Sequence, residues 1–139
     1  MRPRLLFAVP VFALMISLVP TARAEDEHPV VKLIKSKVKD PSKTFALIVE
    51  FKVKAGKEKE AEAAFAPCLV ATRKEPGCIA YYLNRDPDHP ELFIMYEQFK
   101  GIAAIEEHLK LKHTQTLLTT LGTLTEGEPK LKILNVPAE

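Results

Sequence analysis

An α+β fold with element order β, α, β, β, α, β, built on one four-stranded antiparallel sheet with helices on one face, is what this sequence predicts. Three observations carry it. Runs of β-branched and aromatic residues recur at 44–53, 78–85, 91–99 and 129–137. Segments of helical periodicity follow the first and third of these runs. The tract "DPDHP" joins the middle two directly, as a hairpin turn would.

The first 24 of the 139 residues stand apart. Arg2 and Arg4 precede the apolar run Leu5 to Val19, and Ala22-Arg23-Ala24 closes the segment. That is the pattern of a secretory signal peptide. The run is too short for the about 20 apolar residues of a membrane span, so cleavage after Ala24 is expected, with no span left in the mature chain. The expected address is exported, periplasmic or extracellular.

Removing that segment takes away Arg2, Arg4 and Arg23 and no acid, which leaves 17 basic against 18 acidic residues. The basicity of the whole chain therefore belongs to the leader. With no basic stripe interleaved with aromatics, nucleic-acid binding has no support. The remaining length suits one core. Cys68 and Cys78, nine residues between them, fit no CxxC spacing and leave two readings open, a bridge or buried free thiols.

Residues 25–43 form an arm in which Val31, Ile34 and Val38 make an apolar stripe at helical spacing, to be docked on the domain 44–139 or on a partner. In the first strand Phe45, Leu47, Val49, Phe51 and Val53 share one face. Ala55-Gly56-Lys57 turns the chain into a helix carrying Ala61, Ala64, Phe65, Cys68, Leu69 and Thr72 on one side. Pro67 should kink it and Pro76-Gly77 end it. After the hairpin, Ile102, Ile105 and Leu109 define one helical face and Leu117, Leu118 and Leu121 another, which predicts a break near Lys112. Leu131 and Ile133 mark the last strand.

This is the ferredoxin-like βαββαβ order. Its sheet would leave one face bare, and the strands are apolar on both sides, so a homodimer with sheet packed on sheet is expected.

Two residues are anomalous in this frame. Glu97 alternates with Phe93, Met95 and Phe99, so a carboxylate shares a face with large apolar groups and must find a partner or raise its pKa. His108 has an ordinary pKa near 6.5, useful for taking a phenolic proton, and its alternative is a structural histidine. His113 follows five positions later, a step that diverges on a continuous helix and argues against a metal pair, so it reads as a cap or surface residue. Tyr82, Asn84, Met95 and Phe99 are the candidate substrate wall, although alternation lets only one of Tyr81 and Tyr82 see a pocket. Arg85 is expected to pair with Asp86 or Asp88. The group Asp86, Asp88 and His89 makes a poor chelate between two prolines, and no metal is expected. No GxGxxG or HExxH is present.

The series Glu75-Pro76-Gly77-Cys78, Tyr81, Arg85-Asp86-Pro87, Tyr96-Glu97, Phe99, His108-Leu109 and His113 resembles the signature of the antibiotic biosynthesis monooxygenase domain over about 44–136. The resemblance implies a dimeric α/β barrel that oxidises a small aromatic quinol or phenol with O2 and uses no cofactor. Haem-degrading relatives of this fold rely on a tryptophan, which this chain lacks. An isomerase of a small carbonyl compound, or a non-enzymatic ligand-binding module with its pocket filled by Phe and Met, are the alternatives. Function varies widely on such a fold.

Overall fold

Pro29 opens the first helix, α1 (Pro29–Lys37), where its missing N–H costs nothing and His28 Nδ1 accepts the Val30 amide at 3.2 Å. The computed structural model describes residues 27–137, so the expected signal segment lies outside the described residues. Val31, Ile34 and Val38 are buried against the rest of the chain. Pro41 O then accepts the Ile102 amide at 2.9 Å, and a Cβ on Gly101 would sit 2.8 Å from that same oxygen. The described part of the arm is thereby held to the domain by the buried side of α1 and by the Pro41 carbonyl.

The remaining elements are β1 (Phe45–Lys52), α2 (Glu58–Thr72), β2 (Cys78–Arg85), β3 (Leu92–Phe99), α3 (Ile102–Lys110), α4 (Lys112–Leu124) and β4 (Lys130–Asn135). The sheet runs β2-β3-β1-β4, antiparallel throughout, which is the predicted α+β ferredoxin-like arrangement. α2 continues through Pro67 and buries Ala61, Phe65, Cys68 and Thr72. Among the described residues no helix is long and apolar enough to cross a membrane.

Strand alternation sorts the sheet. Phe45, Leu47 and Phe51 of β1 and Phe93, Met95, Glu97 and Phe99 of β3 face the helices and are buried. The ring of Phe65 stacks on Phe93 at 6.0 Å and meets Phe51 edge-on at 5.7 Å. Each such ring, removed from water, contributes about 1.5–3 kcal/mol. Ile48, Ile94, Tyr96 and Leu134 lie on the other face. A bulge between Cys78 and Ala80 takes up Ile79, so Cys78 and Tyr81 share the helix side while Ile79 is left exposed. Without that bulge, strict alternation would put Ile79 on the same face as Tyr81.

Candidate active site

The site begins with a tight turn. Glu75 N–H donates to Thr72 O at 3.0 Å and Cys78 N–H to Glu75 O at 3.1 Å, folding the chain through Pro76 and Gly77 into β2. Gly77 lies against Ala104 of α3 so closely that a Cβ there would overlap the alanine methyl. The glycine thus lets α3 approach, and His108 stands one turn beyond Ala104 on the same face. Its Nδ1 lies 2.9 Å and 3.1 Å from the two Glu75 carboxylate oxygens.

Leu111 is extended (φ −69°, ψ 143°), which ends α3 and starts α4 in a new direction. His113, in the first turn of α4, places Nε2 2.7 Å from Glu75 Oε1, and the two imidazoles stand 6.1 Å apart. Divergence after a five-residue step holds only for an unbroken helix; the break makes the two side chains converge. His113 is accordingly a half-buried partner of Glu75, not a surface cap.

His108 itself is buried, between Phe99 (5.1 Å) and Tyr81 (5.4 Å), with Thr114 Oγ1 3.5 Å from Nε2. Burial holds its pKa below the ordinary value, against the bond and charge of Glu75, which raise it, and with a smaller lowering by His113. A carboxylate oxygen can only accept, so Nδ1 carries the proton of the neutral ring and Nε2 is the basic nitrogen.

Glu75, His108 and His113 bring three ligand atoms within 4.8 Å of one another, two imidazoles and one carboxylate, a set that could hold a divalent ion. As they stand they satisfy each other, one carboxylate accepting from two rings. The Asp86 side chain instead accepts from the amides of Asp88 (2.9 Å) and His89 (3.2 Å), a turn-forming role.

His108, Thr114, Tyr81 and Glu97 supply polar groups to a cavity of about 300 Å³ between the sheet, α1, α3 and α4. Leu47, Val49, Phe51 and Met95 form its sheet wall, and Leu117 and Leu118 its α4 wall. Among the described residues the Glu97 carboxylate has no hydrogen-bond or ion-pair partner. Burial, and secondarily the charge of Glu75, raise its pKa to about 8. That shift favours the protonated carboxyl at neutral pH, a form able to donate.

The expected site residues divide. His108, Glu97 and Met95 line one cavity, and Phe99 supports His108 from behind. Tyr82 and Asn84 do not join them: they lie on the open sheet face, Tyr82 54% exposed and Asn84 Nδ2 donating to Ile94 O at 3.3 Å. Tyr81 takes the wall position, because its register opposite Glu97 puts it on the helix side. Arg85 pairs with Glu62 (2.7 Å) and the Pro90 carbonyl, not with Asp86 or Asp88. Cys68 and Cys78 are free thiols, their pKa values raised chiefly by burial. Sequence reasoning missed Glu75, whose signal was its place in Glu-Pro-Gly-Cys beside the two histidines in the same motif series.

Fold and site define a small α+β protein with a mostly apolar, partly open cavity lined by one buried acid and one carboxylate-bound imidazole. Residues 44–119 match the family model described as antibiotic biosynthesis monooxygenase, and the chain belongs to that family. Among solved structures it is similar to a candidate antibiotic biosynthesis monooxygenase of Nitrosomonas europaea (22% identity, TM-score 0.66, covering 68% of this chain and 91% of that one). It is also similar to a protein of Pseudomonas aeruginosa (26%, TM-score 0.65, 71% and 99%). A protein of Shewanella oneidensis aligns at 30% identity (TM-score 0.59, 67% and 94%). An uncharacterised Synechocystis protein is 26% identical over 85 residues, 61% of this chain and 58% of that protein's length.

Proposed function

We propose that this is an exported, homodimeric monooxygenase that oxidises a small aromatic quinol or phenol with O2 and needs no cofactor. The observation that carries it is that His108, bonded to Glu75, and Glu97, its pKa raised by burial, line one apolar cavity. His108 Nε2 takes the hydroxyl proton, with the imidazolium that forms stabilised by Glu75. The phenolate gives one electron to O2, and the resulting radical pair joins at a ring carbon as a peroxide. The O–O bond then breaks: one oxygen stays on the ring as the new quinone carbonyl, and the other leaves as water with the ring hydrogen and the proton from His108. Glu97 donates a hydrogen bond to the substrate oxygen as charge builds there.

The same acid and base would suit enolisation of a small carbonyl compound, and the unpartnered Glu97 favours that isomerase as the second reading. A merely filled pocket is disfavoured by the cavity of about 300 Å³. The test is oxygen uptake by the mature protein with a panel of hydroquinones and naphthols, with ¹⁸O₂ tracing one label into the quinone. Uptake no faster than without protein would end the oxygenase reading.

A further inference from the structure

The family match begins at residue 44, and the similar structures are covered nearly whole while matching only about two-thirds of this chain, 68% in the Nitrosomonas case. The arm is outside that shared domain. Yet the cavity is not complete without it: His28, Pro29, Val30 and Leu33 of the arm line the cavity, facing the sheet wall. These residues occupy the side of α1 left over after Val31 and Ile34 have anchored it in the core. The anchoring is extensive, since Lys35 pairs with Glu106 of α3 at 2.7 Å and Pro41 O holds the Ile102 amide. A wall fastened in this way has a fixed position relative to Met95 and Leu117 across the cavity.

We infer that α1 is a built-in wall that sets the size of ligand the cavity accepts, with Val30 and Leu33 as the specificity-determining residues. The ligand class is a flat phenol of about two fused rings, because a cavity of about 300 Å³ is at the small end of ligand sites. This rests on the small-aromatic reading above. It goes beyond it in assigning selection to a segment that the shared domain does not contain. Leu33 is exposed and Val30 is half-buried at the edge of the core, so Leu33 is the side chain whose change disturbs packing least.

The experiment titrates mature protein with two fluorescent phenols, 1-naphthol and the larger 1-hydroxypyrene, and reads the ratio of their affinities. Wild type should favour 1-naphthol. The Val30→Ala/Leu33→Ala double variant should shift the ratio towards 1-hydroxypyrene by roughly ten-fold or more, the scale on which one or two methylenes act in an apolar pocket. Leu33→Trp should weaken 1-naphthol by a similar factor. Met95→Trp fills the opposite wall and serves as the control for the cavity. If Met95→Trp abolishes 1-naphthol binding while the arm variants leave the ratio unchanged, the arm is not the selecting wall and the inference is overturned, with the small-aromatic reading intact. If wild type binds neither phenol, that reading fails and the inference fails with it. Circular dichroism at 222 nm, unchanged in each variant, assigns a shifted ratio to the wall and not to a lost helix.

Discussion

His108 Nδ1 lies 2.9 Å from Glu75 Oε1, although the two are 33 positions apart in the chain. The contact needs the turn at Pro76-Gly77 and the close approach of α3 at Ala104, so it is a product of the whole β2-β3-α3 segment. It also fixes the sense of the imidazole, proton on Nδ1 and lone pair on Nε2.

A pH profile should report that pair. Burial lowers the His108 pKa, Glu75 raises it and His113 lowers it further, so the acid limb of activity should lie below the ordinary histidine value. Glu75→Gln keeps an acceptor but removes the charge, and the limb should move to lower pH. His113→Ala should move it upwards. Proton NMR of the His108 ring measures the same shifts without turnover, and equal limbs in all three proteins would refute the assignment. His108→Ala should cost about 10²–10⁴ in rate, the usual range for a lost general base.

Glu97 predicts a stability effect of definite sign. Its folded pKa of about 8 lies above the 4.5 of the exposed group, so the folded state holds a proton the unfolded chain has released. Below pH 4.5 both states are protonated and nothing is lost; stability falls as pH rises from 4.5 through about 8. Glu97→Gln removes the titration and should stabilise the protein at pH 9 by on the order of a few kcal/mol relative to wild type. Little difference should remain at pH 4. Thermal melts across that range test it, and a constant difference at every pH would exclude a buried neutral acid. His108 acts in the opposite direction: its folded pKa is lowered, so its contribution is lost as pH falls below the ordinary histidine value.

The strands, the hairpin, the split of the last helical segment and the anomaly at Glu97 were all legible, because each is a matter of local periodicity. Period two put Glu97 among phenylalanines, and no fold was needed to see the conflict. The wall residues were not legible in the same way. A single bulge at Cys78/Ala80 displaces Ile79, and only the register of β2 on β3 tells whether Tyr81 or Tyr82 meets the helices. The convergence of His108 and His113 was concealed for a related reason: helix spacing predicts divergence, and one extended residue, Leu111, reverses it. Glu75 was out of reach of periodicity altogether, since its partners lie on other elements.

Gly77 should tolerate no side chain. A methyl there would meet the Cβ of Ala104, and neither α3 nor the turn can yield without moving Glu75 from His108. Gly77→Ala should destabilise by about 1–3 kcal/mol, the usual cost of overpacking. Adding Ala104→Gly removes the methyl it would strike and should restore part of that loss. Denaturant unfolding of the two variants provides the comparison; no recovery in the double variant would place the cost elsewhere than this contact.

The open sheet face leads to a prediction about assembly. Ile48, Ile94, Tyr96 and Leu134 lie on it with Tyr82, which is 54% exposed, an apolar strip across all four strands that is flanked by Glu50, Lys130 and Lys132. A monomer would expose this patch to water, whereas a second copy packed sheet to sheet would cover it. Tyr96 is central, paired with Ile48 on one side and Tyr82 on the other. Tyr96→Asp would place a charge in the middle of that contact, two strands away from the lysines Lys130 and Lys132 of β4. Light scattering of residues 25–139 should give a dimer mass, and Tyr96→Asp a monomer that keeps its helical circular dichroism. The cavity lies on the opposite side of the sheet, so 1-naphthol should still bind the monomer. A wild-type protein that is monomeric at micromolar concentration would mean that some other partner covers the face.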